Sequence, residues 1–418
     1  MRIAIVGSGV SGLVCAHLLR QRHEVTLFEA DARAGGHAHT QAVVIDGVEH
    51  SIDTGFIVYN ERNYPILTDL FGELGVTTRP SDMSFAMADD IANVEWCGTS
   101  PRTVFSQPRN LVRPRFLRML GDIRRFNRCA RRLLDEPENL GYTLEEFLSR
   151  GSYSTAFVEW YLVPMGAAIW SASPAEFLQF PAAAFIRFFD NHGLLGLRDR
   201  PQWRTVQGGS RQYVNAITGS LGTRLRLATP VRAVARRDVG VDVATDAGVE
   251  NFDHVIVATH ADQALALLES PTAAETEILS SIRFCLNEAT LHTDARLMPR
   301  RARARASWNW RHQNGARAAT LTYDLTRLEG LDTSRPVYLT LNQTDVVAPD
   351  QVLRQMTYRH PVFDSAAMVA QRRHGEISGR DRVSYVGAYW GYGFHEDGAR
   401  SAVIACRSLD ATIAEGVS

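Results

Sequence analysis

Apolar and polar positions along this 418-residue chain predict strands and helices in turn. Arg2 to Val6 is a short apolar run, which is typical of a strand buried on both faces. Positions from Leu13 to Arg20 repeat with a spacing of three and four, which predicts a helix, and Glu24 to Phe28 predicts a second strand. A glycine-rich turn, Gly7-Ser8-Gly9-Val10-Ser11-Gly12, separates the first strand from the helix.

Later stretches add a second sheet, an aromatic helical region and further buried strands. Phe284 to Leu341 alternates apolar and polar residues, which predicts strands. Tyr153 to Trp170 and Phe177 to Phe189 are dense in aromatic residues, which suits either the walls of an apolar pocket or an ordinary helical core. His254 to Thr259 and Val383 to Gly387 each predict one more buried strand.

Each part of the opening turn has a physical task if a dinucleotide binds there. Gly7 permits a tight turn, Gly9 lets the backbone approach a pyrophosphate, and Gly12 lets the helix pack closely on the strand. The helix N-terminus offers N–H groups and partial positive charge to the phosphates. Glu29 ends the second strand, where its carboxylate can accept hydrogen bonds from ribose hydroxyls. The order of these parts predicts a dinucleotide site.

A second glycine turn indicates which dinucleotide binds. Glu29-Ala30-Asp31-Ala32-Arg33-Ala34-Gly35-Gly36-His37 resembles the ExxxRxGG[R/H] signature of flavin amine-oxidase-like proteins. The resemblance implies FAD in an extended form, with the Gly35-Gly36 turn beside the diphosphate and Arg33 over the phosphates. It also implies cofactor contacts elsewhere in the chain, at Ser8, Ser11, Ala30, His37, Gly55, Phe56, Ile57, Val231, Thr259, Gly387, Phe394, Glu396 and Asp397.

Composition excludes several other classes of protein. The formal net charge is -1, so the whole molecule has no bulk attraction to nucleic acid. The five cysteines are scattered without a CxxC pair, which argues against a structural zinc site, and we expect no metal. No long apolar run or leader-like N-terminus is evident. We therefore expect a cytoplasmic location, either free or peripheral on the inner face of the membrane.

All 45 basic residues are arginine, and the sequence contains no lysine. A lysine Schiff base is therefore impossible. Many amine oxidases of the resembling group place a lysine and a water beside the flavin, which this chain cannot do. The absence lowers the expectation of ordinary amine oxidation.

The stretch 102–132 concentrates positive charge. From Pro101 to Leu134 there are ten arginines and one acid, Asp122, while Phe116, Met119, Leu120, Ile123 and Phe126 fall at helical spacing. Two explanations remain open. The stretch is either a helix lying on an anionic membrane surface, or a solvated basic face on a helix buried along its other side. Arg300, Arg301, Arg303 and Arg305 form a second cluster with the same two explanations.

Stretches along nearly the whole chain resemble one bacterial family of FAD-binding, amine-oxidase-like proteins. They are GSGVSGL, EADARAGGHAHT, IDTGFIVYNERNYP, AAIWSASP, QGGSRQYV, LHTDARLMP, YRHPVF and VGAYWGYGFHEDGARSA. The resemblance implies an α/β (α+β) fold with a discontinuous, Rossmann-like FAD-binding domain of the two-dinucleotide-fold type, formed by 1–80, 205–283 and 376–418. A substrate domain of sheet plus helices, 81–204 and 284–375, is inserted into it.

The sequence departs from the wider group at two places. Gly387-Ala388 stands where many relatives carry an acid that binds the ribityl chain, which leaves Glu396 or Asp397 to compensate. No cysteine lies between Cys285 and Cys406, so we expect FAD to be held without a covalent link.

The resemblance implies an FAD-dependent oxidoreductase that takes hydride from an apolar substrate. The family is often encoded beside cyclopropane-fatty-acid-synthase-like enzymes, which suggests a fatty-acyl or phospholipid chain. Fatty-acid isomerisation, amine oxidation and a non-catalytic FAD-binding partner of a lipid-modifying enzyme are the alternatives. We expect Trp390, Tyr392 and His395 to be catalytic, with His395 as the acid/base because histidine titrates near neutrality. The sequence leaves the oligomeric state open.

Overall fold

Strands and helices alternate at the start of the chain, as the apolar pattern predicts. The computed structural model describes residues 1–135, 141–170, 174–196, 200–313 and 319–416. The strands are β1 (Arg2–Val6), β2 (Glu24–Phe28), β3 (Thr40–Ile45), β4 (Val48–Asp53), β5 (Tyr59–Asn60), β6 (Thr78–Pro80), β7 (Phe85–Asp89), β8 (Val94–Cys97), β9 (Trp203–Val206), β10 (Leu225–Arg226), β11 (Val231–Arg236), β12 (Val241–Thr245), β13 (Gly248–Phe252), β14 (His254–Val257), β15 (Phe284–His292), β16 (Trp308–His312), β17 (Thr320–Asp324), β18 (Tyr338–Leu341), β19 (Val352–Pro361) and β20 (Val383–Tyr385).

The helices fall between these strands and dominate the middle of the chain. The α-helices are α1 (Val10–Leu19), α2 (Pro65–Glu73), α3 (Pro101–Val104), α4 (Pro114–Cys129), α5 (Arg132–Asp135), α6 (Leu144–Arg150), α7 (Thr155–Phe157), α8 (Val163–Trp170), α9 (Pro174–Leu178), α10 (Ala182–Asn191), α11 (Arg211–Gly219), α12 (Ala261–Leu267), α13 (Ala273–Ser280), α14 (Leu325–Glu329), α15 (Ser365–Arg372), α16 (His374–Ile377) and α17 (His395–Gly416). A π-helical turn, Val158–Leu162, links α7 to α8. Residues 171–173 of the AAIWSASP stretch lie outside the described residues.

A five-stranded parallel sheet organises the nucleotide-binding part. Its strand order is β10-β2-β1-β14-β20, so β1 lies in the middle with both neighbours parallel to it. Ile3 and Ile5 are completely buried, which explains why β1 reads as a continuous apolar run. All five strands end at one edge of the sheet, where Gly7, Glu29 and Ala258 follow directly. This edge is where open α/β sheets bind their ligands.

A seven-stranded sheet forms the second part, with the order β19-β15-β18-β17-β16-β7-β8. Most neighbours are antiparallel, and β7 pairs in parallel with β16. The alternation from Phe284 to Leu341 is therefore confirmed as sheet. β3 and β4 form an antiparallel hairpin across Asp46-Gly47, and both turn residues have positive φ. The exact domain boundaries stay a prediction.

Helices α4 to α10, with the π-helical turn, form what we call the aromatic lobe. Ring contacts run through it from helix to helix: Phe126 lies 6.4 Å from Phe185, Phe185 lies 6.0 Å from Trp170, and Trp170 lies 4.7 Å from Phe188 (centroid distances). The dense aromatic pattern of the sequence is thus the core of this lobe. Its last ring, Phe188, faces the beginning of α17.

The arginine-rich stretch is shorter as a helix than the sequence pattern suggests. Pro108 begins a separate 3-10 turn and Pro114 begins α4, because proline lacks the N–H that a continuous helix needs. Phe116, Met119 and Phe126 are fully buried within the aromatic lobe. The predicted apolar stripe therefore packs against protein, while Arg118, Arg124 and Arg128 on the opposite face of α4 are exposed. Whether that exposed face meets solvent or a membrane stays a prediction.

Candidate functional site

The glycine turn after β1 has the packing that its sequence predicts. Gly7 has a φ of +103°, which favours glycine, and a Cβ there would lie 2.8 Å from the carbonyl oxygen of Ala258. A Cβ on Gly12 would lie 1.9 Å from the carbonyl oxygen of Gly7. A Cβ on Gly9 would have no described residue within 4 Å apart from its chain neighbours. Gly7 and Gly12 are therefore required by packing, whereas Gly9 keeps a surface of the turn open to a ligand.

Helix α1 begins at this open surface. Its N-cap is Gly9, which supplies no side chain to cap the helix, and its first turn carries no acid. Ser8 and Ser11 are buried beside it. An uncapped helix N-terminus with no competing carboxylate attracts an anion through its N–H groups and dipole.

The second glycine turn lies directly over the first. Gly36 has a φ of +57°, and a Cβ on it would lie 3.1 Å from the Cα of Gly9. The Gly35 amide donates to the carbonyl oxygen of Ser8 at 3.0 Å. Glu29 accepts from the Ser8 amide at 2.9 Å and from the Asp31 amide at 2.9 Å, which fixes its carboxylate at the end of β2. The two turns and Glu29 thus form one unit.

Several buried polar atoms around these turns have no protein partner among the described residues. They include Nη1 of Arg33, Nε2 of His37 and Nε2 of His395. Arg33 uses its other amino group to donate to the carbonyl oxygen of Gly36 at 2.9 Å. Buried donors are normally paired, so this set fits a ligand rich in oxygen and nitrogen acceptors. The diphosphate and flavin of FAD have that chemistry.

Gly55 and Phe56 connect the second turn to the N-terminus of α17. The Phe56 amide donates to the carbonyl oxygen of His37 at 2.9 Å, and a Cβ on Gly55 would lie 2.2 Å from that oxygen. The Phe56 ring stacks on His395 with a centroid distance of 3.8 Å. Gly398 packs α17 against the start of α1, since a Cβ there would lie 2.7 Å from Val10. Sequence-distant candidate residues therefore meet around one space.

The other predicted cofactor residues lie at the edge of this unit. Ala30 is exposed, Ile57 accepts from the Thr205 hydroxyl through its carbonyl at 2.8 Å, and Thr259 lies against Gly7. Val231 begins β11, just after the 226–229 segment that hydrogen-bonds to Glu29. Gly387 is extended and lies under the Tyr389 ring. Their contacts with FAD stay predictions.

Glu396 and Asp397 are occupied by the protein itself. The Glu396 carboxylate accepts from the amides of Ile66 and Leu67 at 3.0 and 3.1 Å, and so caps α2. Asp397 accepts from the amides of Tyr392 and Phe394 at 3.0 and 3.1 Å. These bonds speak against the prediction that one of the two carboxylates replaces the missing ribityl acid.

The three predicted catalytic residues do not lie together. Phe188 of the aromatic lobe contacts Tyr392 and Phe394, with centroid distances of 5.7 and 5.2 Å. Trp390 packs elsewhere, 4.2 Å from His374. Burial lowers the pKa of His395 to about 3, so this histidine stays neutral at physiological pH. A lowered pKa makes His395 a weak base, and its role as the acid/base stays a prediction.

The structure adds a histidine cluster that sequence reasoning missed. His37 lies 5.1 Å from Tyr358, 5.4 Å from His360 and 6.1 Å from His260 (centroid distances). Burial lowers the pKa of His260 and of His360 to about 4. Tyr358 and His360 belong to the YRHPVF stretch, which resembles the family but gave no indication of what these two residues do. Only the pairing of β19 with β15 brings them here.

The hydrogen bonds of Asn287 define the tautomer of His360. Asn342 donates its amide N–H to the Asn287 Oδ1 at 2.7 Å. Asn287 therefore presents its own NH₂ to Nδ1 of His360, at 2.9 Å. Because Nδ1 must accept, the proton of the neutral ring is on Nε2.

Comparisons with known proteins agree with this geometry. Residues 10–315 match the family described as flavin containing amine oxidoreductase. A Mycobacterium tuberculosis protein named as a putative flavin-containing monoamine oxidase, AofH, is 30% identical over 275 residues, which cover 61% of this chain and 56% of that protein. An L-amino acid dehydrogenase from Synechocystis is 26% identical over 278 residues, covering 64% and 57%. The chain thus matches little more than half the length of these curated relatives.

Solved structures share the fold across almost the whole chain. Putrescine oxidase bound to putrescine superposes with a TM-score of 0.71 at 16% identity, covering 98% of this chain and 99% of that one. A fatty acid isomerase from P. acnes that produces CLA gives a TM-score of 0.69 at 14% identity, covering 97% and 98%. The family match, the paired glycine turns and the unpartnered Nη1 of Arg33 lead to one conclusion. This chain belongs to the flavin-containing amine oxidoreductase family, and its cofactor is FAD.

Proposed function

We propose that the protein is an FAD-dependent oxidoreductase that takes hydride from an apolar substrate, a fatty-acyl or phospholipid chain. The observation that carries the proposal is the continuity of the aromatic lobe with the FAD site. Phe188 contacts Phe394, the neighbour of His395, which in turn stacks on Phe56. An apolar chain held by this lobe would meet aromatic and aliphatic surface up to the cofactor.

The charges near Tyr392 support a neutral or anionic substrate. The charged groups that act on this tyrosine are Arg187, Asp397 and Arg400, of which two are positive. Asp397 is already bonded by two backbone amides and lies 3.4 Å from Arg400. Asp397 is therefore not free to pair with an ammonium group. Arg187 is exposed and suits the carboxylate or phosphate at the end of a lipid.

The protein's own residues supply position and electrostatics. FAD, when bound, supplies the ring that accepts hydride. The N-terminus of α17 begins at His395 and offers partial positive charge to an anionic ring. Phe56 stacks on His395 and Phe188 contacts Phe394, and these apolar rings would exclude water from the space beside FAD. His395 is neutral at physiological pH, and its unpartnered Nε2 can hydrogen-bond to FAD or substrate.

Amine oxidation is the second candidate. It is favoured by the name of the M. tuberculosis relative and by the fold shared with putrescine oxidase. The absence of lysine and the excess of positive charge near Tyr392 count against it. The fold shared with the P. acnes fatty acid isomerase supports a lipid and also supports isomerisation without net oxidation.

The test mixes FAD-loaded protein anaerobically with detergent-dispersed membrane lipids, with free fatty acids, or with putrescine, and follows bleaching of the flavin absorbance. We expect lipid or fatty acid to bleach it and putrescine to leave it yellow. A product lighter by two hydrogens indicates dehydrogenation, and a product of equal mass indicates isomerisation. Bleaching by putrescine alone would contradict the proposal.

A pair of variants on α10 sharpens the test. Phe188→Leu alters the ring that contacts Tyr392 and Phe394, so reduction by lipid should slow by about tenfold or more, a transition-state loss of roughly 1.4 kcal/mol. Phe189→Leu changes an equally buried neighbour that contacts Phe185 instead, and it should reduce at the wild-type rate.

A further inference from the structure

An exposed apolar and basic surface lies on the segment that leads into α4. In the segment 108–118, Leu111, Val112 and Leu117 are 55%, 79% and 44% exposed. Two buried side chains hold the segment in place. Asn110 donates to the carbonyl oxygen of Glu95 at 3.2 Å, and Phe116 is fully buried. The exposed aliphatic groups are therefore presented by a fixed backbone.

The hairpin between β7 and β8 extends this surface. Arg113 donates to the carbonyl oxygen of Asn93 at 3.1 Å, and Arg109 donates to the same oxygen. Leu111 and Val112 lie between these two arginines in the chain. Ile91, on the same hairpin, is 62% exposed. We call Ile91 and residues 108–118 the basic tip.

Positive charge in the basic tip is not neutralised within it. The tip contains Arg109, Arg113, Arg115 and Arg118 and no acid. Burial, and then the charges of Arg109 and Arg115, lower the pKa of Arg113. Arg115 has one acidic partner, Glu159, at 3.6 Å and well exposed. Such a pair is worth little in water and is readily exchanged for another anion.

Further arginines surround the tip. Arg118, Arg124 and Arg128 lie on the exposed face of α4 and form no ion pair with any residue that the structure describes. The second basic cluster of the sequence reaches the same end of the sheet, because Arg300 pairs with Asp90 at 3.0 Å and Arg301 with Glu95 at 3.7 Å. Two clusters far apart in the chain therefore converge at β8.

We propose that the basic tip docks on an anionic lipid bilayer, with Ile91, Leu111, Val112 and Leu117 entering the interface and the arginines binding headgroup phosphates. Aliphatic side chains interspersed with arginine suit this partner, since the apolar groups gain by leaving water while the cations stay at the headgroups. A nucleic acid would gain nothing from exposed valine and leucine. The docking rests on this surface alone and not on the proposed reaction.

The test is sedimentation of the FAD-loaded, full-length protein with vesicles. Phosphatidylcholine vesicles with about 30% phosphatidylglycerol should pellet the protein at low salt, and pure phosphatidylcholine should not. Salt at about 0.5 M should release it, since the interaction is electrostatic at first contact. Absence of pelleting with the anionic vesicles, or equal pelleting with both kinds, would overturn the proposal.

Matched variants distinguish binding through the basic tip from nonspecific binding to vesicles. Leu111→Ser with Val112→Ser should weaken partitioning about tenfold, and Arg118→Glu with Arg124→Glu about a hundredfold, by loss of apolar area and of charge. Val239→Ser removes an 80% exposed valine in the turn between β11 and β12, and Arg354→Glu reverses an exposed arginine on β19. Both controls should pellet like wild type. If they weaken binding as much as the tip variants, the tip is not the docking surface.

The outcome is independent of the reaction. Detergent-dispersed lipid reaches the FAD site without a bilayer, so tip variants should show wild-type flavin bleaching in that assay. Pelleting without bleaching leaves the docking intact and removes the lipid substrate. Bleaching without pelleting does the reverse and overturns the docking.

Discussion

The FAD side, by which we mean the two glycine turns, Glu29 and the residues packed around them, and the aromatic lobe depend on different kinds of contact. On the FAD side the backbone carries the function: a Cβ on Gly12 would lie 1.9 Å from Gly7 O, and Gly36 lies over Gly9. In the lobe the side chains carry it, through ring contacts such as Trp170 with Phe188 at 4.7 Å. A backbone constraint requires glycines at a fixed spacing, which can be recognised in a sequence. Packed rings require only a high content of aromatic residues. The comparison explains why the cofactor was predictable and the substrate was not.

Gly12→Ala tests the backbone side and should have the largest effect. The added methyl meets a backbone carbonyl that cannot move without displacing β1, so we expect a loss of unfolding free energy on the order of 5 kcal/mol. Urea denaturation of the protein without FAD measures it. Gly72→Ala is the control, because α2 has open space at that position and alanine favours helices. Equal stability of the two variants would contradict the packing described here.

Phe185→Ala tests the contribution of side-chain packing in the aromatic lobe. Phe185 is fully buried and contacts Phe126, Trp170, Phe177 and Phe189, so the cavity should cost about 3–5 kcal/mol of unfolding free energy. The molecules that remain folded should bind FAD with wild-type affinity, which fluorescence titration measures. Loss of FAD affinity equal to that of a glycine-turn variant would mean that the two regions are not separable.

Acid should weaken the FAD side through its buried histidines. The folded-state pKa is about 4 for His260 and His360 and about 3 for His395, all lowered by burial. The unfolded value is about 6.5, so only the unfolded state takes up protons as pH falls below it. The contribution of these neutral histidines to the unfolding free energy is thus fully present above pH 6.5 and is lost as the pH falls toward 4. Asp53, whose pKa burial raises to about 6, opposes this in part, because its folded form gains a proton first.

Urea denaturation at pH 7 and pH 5 measures the net effect. We expect the protein to lose on the order of 1 kcal/mol for each of these histidines over that range. His360→Gln keeps an acceptor for Asn287 and removes one titrating group, so its pH dependence should be shallower. A protein that becomes more stable at pH 5 would contradict the assignment of neutral buried rings.

Glu396→Gln should have the smallest effect. Glutamine keeps only one of the two oxygens that accept from Ile66 and Leu67, so α2 should lose part of its cap, about 1 kcal/mol. FAD affinity should stay unchanged, as a titration would show. An affinity loss without a stability loss would restore the prediction that this carboxylate contacts the ribityl chain.

The glycine turn after β1 could be predicted from the sequence because each of its residues is required by local backbone geometry. Gly7, Gly9, Gly12 and Glu29 need only their neighbours in the chain to define a turn, a helix start and a strand end. The histidine cluster was not predictable in that way. His360 and Asn287 meet only through pairing of β19 with β15, and periodicity reveals that a strand exists without revealing its partner.

The charged segments show the same limit. An apolar stripe on α4 predicted a buried face but did not tell whether lipid or protein covers it; the lobe that covers Phe116 comes from later helices. Glu396 or Asp397 was expected to bind the cofactor because Gly387-Ala388 lacks the acid that many relatives carry. The partner of Glu396, the N-terminus of α2, lies about 330 residues earlier in the chain.

The most direct test of the central claim is a titration of the purified protein with FAD, followed by absorbance and by quenching of flavin fluorescence, for wild type and Gly9→Ala. Wild type should bind one FAD with a perturbed flavin spectrum. Gly9→Ala should melt like wild type without FAD, because no described residue apart from its chain neighbours lies within 4 Å of the added methyl. The variant should nevertheless bind FAD at least about a hundredfold more weakly. Wild-type protein that stays colourless in excess FAD, or a variant that binds equally well, would contradict the account.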